Sequence, residues 1–198
     1  MYDFGQTQRL SRTASARFHG PAVLLATTAA VLGALGTTVL GWFRHTDAAV
    51  LLAGGTDGRL TFSRLGTALS AEQHRLGQAP AAVRAGVHLG IGPAYFGWLG
   101  YALVGAAVTL AVVSAAPSSA ITATARLLGV LVSMSGIAAT LWAIDLVRVD
   151  PNVIIRGAQR PPGYLDHLRA TGLGAWAMFA AFALTLVAVT LPARRERY

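Results

Sequence analysis

The sequence predicts an all-α membrane protein: a bundle of four transmembrane helices with a small extracytoplasmic loop region that contains a short β-hairpin. Three observations lead there. Hydrophobic residues make up 54% of the 198 positions and charged residues only 12%, about half the ~25% charged fraction of a typical soluble domain. The apolar residues fall in four runs, Pro21–Phe43, Leu89–Ala116, Leu127–Ile144 and Ala170–Ala193, and none of these holds an Asp, Glu, Lys, Arg or His. Runs of about 18 residues or more suit a hydrocarbon layer ~30 Å thick at ~1.5 Å rise per residue. A surface helix of a soluble protein would need a polar face, which these runs lack.

The elements follow in order. Residues 1–20 form a polar tail bearing Arg9, Arg12 and Arg17. Arginines before an apolar run resemble a signal sequence. The run at 21–43 is 23 residues long, against ~7–15 for a signal core, and no clear small-residue cleavage site follows it. An uncleaved first span over about 21–43 is therefore expected. A loop over 44–88 leads to a second span at about 89–114. The tight connection "AAPSSA" (115–120) leads to a third at about 121–146. A second loop, 147–169, precedes the fourth span at about 170–192, and "ARRERY" (193–198) closes the chain. Four spans put both termini on one side and both longer loops on the other.

All 16 basic residues are Arg, and the net charge is +8. This charge lies in short loops and tails, so it reads as membrane-flanking charge and not as a nucleic-acid surface. The tails hold six Arg, the start of the third span holds Arg126, and the two loops hold nine. Density nevertheless favours cytoplasmic termini, because Arg194, Arg195 and Arg197 stand directly against a helix end, where the positive-inside effect is strongest. The location expected is the plasma membrane. There is no Cys, which removes disulfides, thiolate metal sites and cysteine nucleophiles.

Within the first loop, "TDGRLTFSRLG" (56–66) has a Thr-Asp-Gly turn signal before alternating Leu60, Thr61, Phe62 and Ser63, the pattern of a short strand or hairpin arm. Ser70 and Gln73 stand at capping-box spacing and predict a helix start there, ending at Gly77. In the second loop Val153–Ile155 is a brief apolar segment that could pair with that arm.

Small residues and aromatics punctuate the spans. Gly36 precedes Trp42 by six residues, as Gly136 precedes Trp142; Gly90 and Gly92 with Tyr95 echo Gly172 and Gly174 with Trp176. Each half thus reads as a helix, a polar loop and a glycine-opened helix. Trp42, Tyr95, Trp98, Trp142 and Trp176 are expected as anchors at the membrane–water interface, where an apolar ring with one polar handle sits well. Gly33, Gly36, Gly92, Gly97, Gly100, Gly105, Gly136, Gly172 and Gly174 are expected to let helices approach closely, within the bundle or against a partner.

Chemistry-bearing residues are few. Asp145 lies inside an apolar span and is a functional candidate by depth, but i,i+3 pairing with Arg148 near the loop end explains it structurally. His45 and His88 flank two spans and could bind a metal or haem together. His74, Glu72, His167 and Asp166 lack any zinc-site spacing. No Walker loop, serine-hydrolase elbow or paired-carboxylate signature occurs. Neither a cofactor nor catalysis is expected.

The four-span plan, the long first loop and the "GLGAW" entrance to the last span resemble small actinobacterial four-helix integral membrane proteins. The resemblance implies an accessory subunit of a larger membrane complex, above all a lipid-transport assembly of the Mce type, otherwise a respiratory supercomplex. A small oligomeric transporter or channel is the alternative from another class. The expected partners are a larger integral membrane complex and the bilayer itself.

Overall fold

The computed structural model describes residues 20–42, 60–80, 90–116, 120–146 and 171–191. These residues form five helices: α1 (Gly20–Thr38), α2 (Phe62–Gln78), α3 (Gly92–Ser114), α4 (Ala120–Leu146) and α5 (Leu173–Thr190). Four of them, α1, α3, α4 and α5, are long and apolar enough to cross a membrane, consistent with a multi-pass membrane protein.

The four long helices pack as a rhombus. α1 and α4 take opposite corners, and each lies against both α3 and α5, which also touch one another across the short diagonal. The C-terminal end of α1 meets the start of α5 through Gly36 and Gly174. At the other end Ala26, Ala111, Ala188 and Val189 come together. The directions therefore alternate along the chain.

Large apolar side chains point outwards on every long helix, among them Leu24, Val31, Val112, Leu127, Leu131, Trp142, Leu173 and Val187. The interior holds small and hydroxyl residues: Ala26, Ala29, Ala107, Ala111, Ser133, Thr140, Ala175 and Ala181 are buried. A bundle surrounded by water does the opposite; one surrounded by acyl chains gains nothing from hiding Leu and gains contact by bringing backbones together. Hydroxyls facing outwards are satisfied within their own helix. Thr27, Thr28, Thr38, Thr109, Thr124 and Thr190 each donate to the carbonyl four residues earlier, at 2.6–3.2 Å.

α2 corrects the expectation of a hairpin arm at 56–66. From Phe62 onwards that stretch is helical, and Ser70 is an exposed residue well inside the helix, not its cap. The physical reason is a second periodicity. Phe62, Leu65, Gly66 and Leu69 fall at i, i+3, i+4 and i+7 and are all buried, which is the helical repeat. Thr61, extended at φ −77° and ψ 164°, is the N-cap. Ala79 is driven to ψ 155° in front of Pro80 and stops the helix. The Val153–Ile155 segment lies outside the described residues.

The expectation that Gly36 serves a close crossing can be tested by what a Cβ would meet. On Gly36 it would stand 2.9 Å from the Gly174 carbonyl oxygen, which is backbone and cannot swing away. On Gly105 it would meet nothing. Gly36→Ala should therefore cost about 1–3 kcal/mol as an overpacked site, and Gly105→Ala less than about 0.5 kcal/mol. Reversible unfolding in mixed micelles, titrated with denaturing detergent, measures both.

Candidate functional site

The most heavily built part of the molecule is the end where α1 stops. Beyond Thr38 the α-helical ladder breaks: Val39 and Leu40 both donate to the Leu35 carbonyl, at 3.1 and 3.0 Å. The next carbonyl, Gly36, therefore loses the donor a continuing helix would give it. Trp42 returns over the helix end and its indole Nε1–H donates to that carbonyl at 2.7 Å, in a fully buried position. The Trp42 backbone N–H donates to the Leu60 carbonyl at 2.8 Å. Its carbonyl accepts from Gly172 N–H at 2.7 Å, and Gly174 N–H donates to the Gly41 carbonyl at 2.9 Å. The last of these satisfies a first-turn donor of α5 that no intrahelical acceptor can reach. One two-residue segment thus ties the end of α1, the lead-in to α2 and the start of α5.

This explains the glycines at the entrance to α5. A Cβ on Gly172 would run into the Gly41 carbonyl oxygen, and one on Gly174 would lie 2.7 Å from Trp42 Cδ1 and 2.9 Å from the Leu40 carbonyl oxygen. At the entrance to α3 the similar pair does other work. Gly90 takes φ 50°, the left-handed region open to glycine, to turn the chain into the helix, and Gly92 faces the Leu69 side chain. Pro93 sits in the first turn of α3, where its missing N–H costs nothing.

Around Trp42 the rings of Phe62, Tyr95 and Phe96 pack mostly edge to face, with centroids 4.9–5.9 Å from the indole. Tyr101 extends the cluster through Phe62 at 4.8 Å. Tyr95–Leu99 forms a π-helical turn within α3. The wider turn turns the Phe96 carbonyl towards α2, where Gly66 lies so close that a Cβ would approach that oxygen to 2.5 Å. The Tyr95 hydroxyl reaches across to Thr140 on α4 at 2.5 Å, and Thr140 donates onward to the Gly136 carbonyl at 2.7 Å. A second buried hydroxyl pair, Ser133 with Thr185 at 2.9 Å, joins α4 to α5. These groups satisfy one another, and none stands free for proton transfer.

The remaining expected residues divide. Trp42 and Tyr95 are not interfacial anchors: both are 0% exposed. Trp98, Trp142 and Trp176 lie on the outer surface at 63%, 55% and 49%. The matched spacing of Gly36–Trp42 and Gly136–Trp142 does not produce matched packing. α4 runs on helically through Trp142, and six residues carry it about 240° round the helix at ~3.6 residues per turn, off the face of Gly136. Gly136 receives the Phe182 ring, Gly33 the Val104 side chain and Gly100 the Phe62 ring edge. Gly97 and Gly105 face outwards with nothing near them. Asp145 lies on the last turn of α4, and Arg148, His45, His88, Asp166 and His167 are outside the described residues. On α2, Glu72 pairs with Arg75 at 3.2 Å on the exposed face, and His74 contacts Gln78. Sequence reasoning missed Phe62 and Phe96, although the i, i+3, i+4, i+7 repeat from Phe62 was a signal for the first.

A shallow groove of about 350 Å³ opens sideways between α1 and α3. Its walls include Ala30, Gly33, Ala34, Tyr101, Gly105 and Thr109. It is apolar, floored by small residues, and unfilled by the chain's own described side chains.

Trp42→Phe keeps the ring packing and removes the indole bond to Gly36. It should lower stability by about 1 kcal/mol, with up to ~3 if the stranded carbonyl stays dry, whereas Trp42→Ala should cost about 3–5 kcal/mol; micelle unfolding midpoints separate the two. No protein-family model, curated protein or solved structure matches the chain.

Proposed function

We propose that the chain is a non-catalytic accessory subunit that packs against a larger integral membrane complex and stabilises or regulates it, with both termini cytoplasmic in the plasma membrane. The observation that carries this reading is the groove between α1 and α3. In lipid, helices associate through close backbone approach at small residues and not through burial of Leu. Gly97 and Gly105 spend no contact inside the bundle, unlike Gly33, Gly36, Gly100 and Gly136. With Ala30 and Ala34 opposite Gly105, the groove offers a seat for a transmembrane helix of another subunit.

A lipid-transport assembly of the Mce type is the host we favour, on the resemblance of the four-span plan, with a respiratory supercomplex second. The transporter alternative has less support. Inside the bundle the buried pairs Tyr95–Thr140 and Ser133–Thr185 join hydroxyls to each other, whereas a transport path calls for a series of charged or hydrated groups.

Extraction from native membranes in mild detergent, followed by a native gel and mass spectrometry, tests the reading. A discrete large complex containing the chain is expected. Gly105→Leu and Ala34→Leu should remove the chain from that complex by filling the groove, while the isolated variants unfold within about 1 kcal/mol of the parent, since these side chains point outwards. A lone chain, or a homo-oligomer that passes solute in liposomes, would contradict the proposal.

A further inference from the structure

α2 is seated along the loop-side part of α3, and glycines make the seat close. Leu69 meets Gly92, Gly66 lies against the Phe96 carbonyl, and the Phe62 ring fills the space that a Cβ on Gly100 would take. Passing back along α2 from Leu69 to Phe62 means passing forward along α3 from Gly92 to Gly100. The two helices therefore run antiparallel, and α2 straddles the π-turn at Tyr95–Leu99. A side chain at any of these glycines would hold the backbones apart.

The contact at Phe62 does more than pack. Phe62 is fully buried, and its ring also holds Tyr101, with centroids 4.8 Å apart and planes at 73°. Tyr101 is at the same time the one aromatic side chain lining the groove between α1 and α3. α1 ends and α3 begins at the loop side, so Tyr101 and Thr37 mark the loop-side end of that groove, and Ala30 and Thr109 its other end. An aromatic side chain on a helix has two staggered χ1 settings open to it. The edge-to-face contact with Phe62 favours the setting observed. Beside the ring lies the unfilled space of about 350 Å³, where even a Cβ on Gly105 would meet nothing. A ring released by Phe62 regains dispersion contact by turning into that space.

We propose that Phe62 is a positioning residue that keeps the groove open, a role that rests on the groove being the seat of another subunit's helix. Seated, α2 holds Tyr101 at the loop-side end of the groove. Displaced, α2 lets Tyr101 turn inwards and obstruct it. Subunit binding and the seating of α2 then strengthen one another by the same factor, since coupling between two sites is reciprocal. A change at the loop side of the membrane is in this way transmitted to a contact inside the bilayer.

The test uses the full chain in native membranes, extracted in mild detergent, and reads by quantitative mass spectrometry the share of it that migrates with the large complex on a native gel. Phe62→Ala should lower the ratio of bound to free chain about tenfold, within the roughly 5–150-fold range usual for such coupling. Adding Tyr101→Ala should recover most of that loss, because no ring is left to obstruct the groove; a purely structural role for Phe62 predicts no recovery. Equal association of Phe62→Ala and the parent would overturn the proposal and leave the subunit reading standing. A double variant no better than Phe62→Ala would do the same. A parent that migrates alone would remove the subunit reading and the proposal with it. Should either variant fail to fold, hydrogen–deuterium exchange of the parent decides. The amides of Gly66 and Leu69, on the inner face of α2, should exchange about tenfold more slowly in the complex than in the free chain, and equal exchange in both would refute the proposal.

Discussion

A backbone that ends a helix within or beside hydrocarbon must find its own hydrogen-bond partners, because water is not there to supply them. That constraint organises the loop-side end of this protein. α1 stops at Thr38, and the groups it leaves open are met by Trp42 and by the first turn of α5. The side chain that closes the helix also seeds an aromatic cluster, so hydrogen bonding and packing converge on one residue. α2 lies across this end with Phe62, Leu65 and Leu69 turned inwards and its charged residues outwards.

The two ends of the bundle are packed differently. At the Trp42 end the helices are held by rings; at the other end they close on Ala26, Ala111, Ala188 and Val189. Between them, hydroxyl pairs on α3, α4 and α5 fix helix rotation at little energetic cost, each worth about 0.6 kcal/mol in a bilayer. What distinguishes the outer surface among the described residues is the groove between α1 and α3, the feature on which the proposed subunit contact rests.

The four long helices were legible because charge-free runs of bilayer length have few other readings. α2 was not, since Leu60, Phe62 and Leu65 alternate well enough to read as a strand, while the helical repeat shows only when Leu69 is included. The opposite error was made with Trp42. A tryptophan beside a charged loop is ordinarily interfacial, and nothing in its local spacing says that the helix ends four residues earlier and that the ring folds back. The glycines read more clearly as a class than as individuals. Gly36 and Gly174 meet across a helix crossing, Gly172 makes room for the Gly41–Trp42 segment, and Gly97 and Gly105 face outwards. The sequence patterns of these residues are alike, and only their neighbours differ.

Hydrogen–deuterium exchange of the chain in lipid nanodiscs addresses the central claim most directly. The account predicts that the amides of Trp42, Gly172 and Gly174, though outside or at the edge of helices, exchange as slowly as those in the middle of α5. Rapid exchange at these three amides, with the spans themselves protected, would show that the segment after α1 is solvated and does not tie the bundle together.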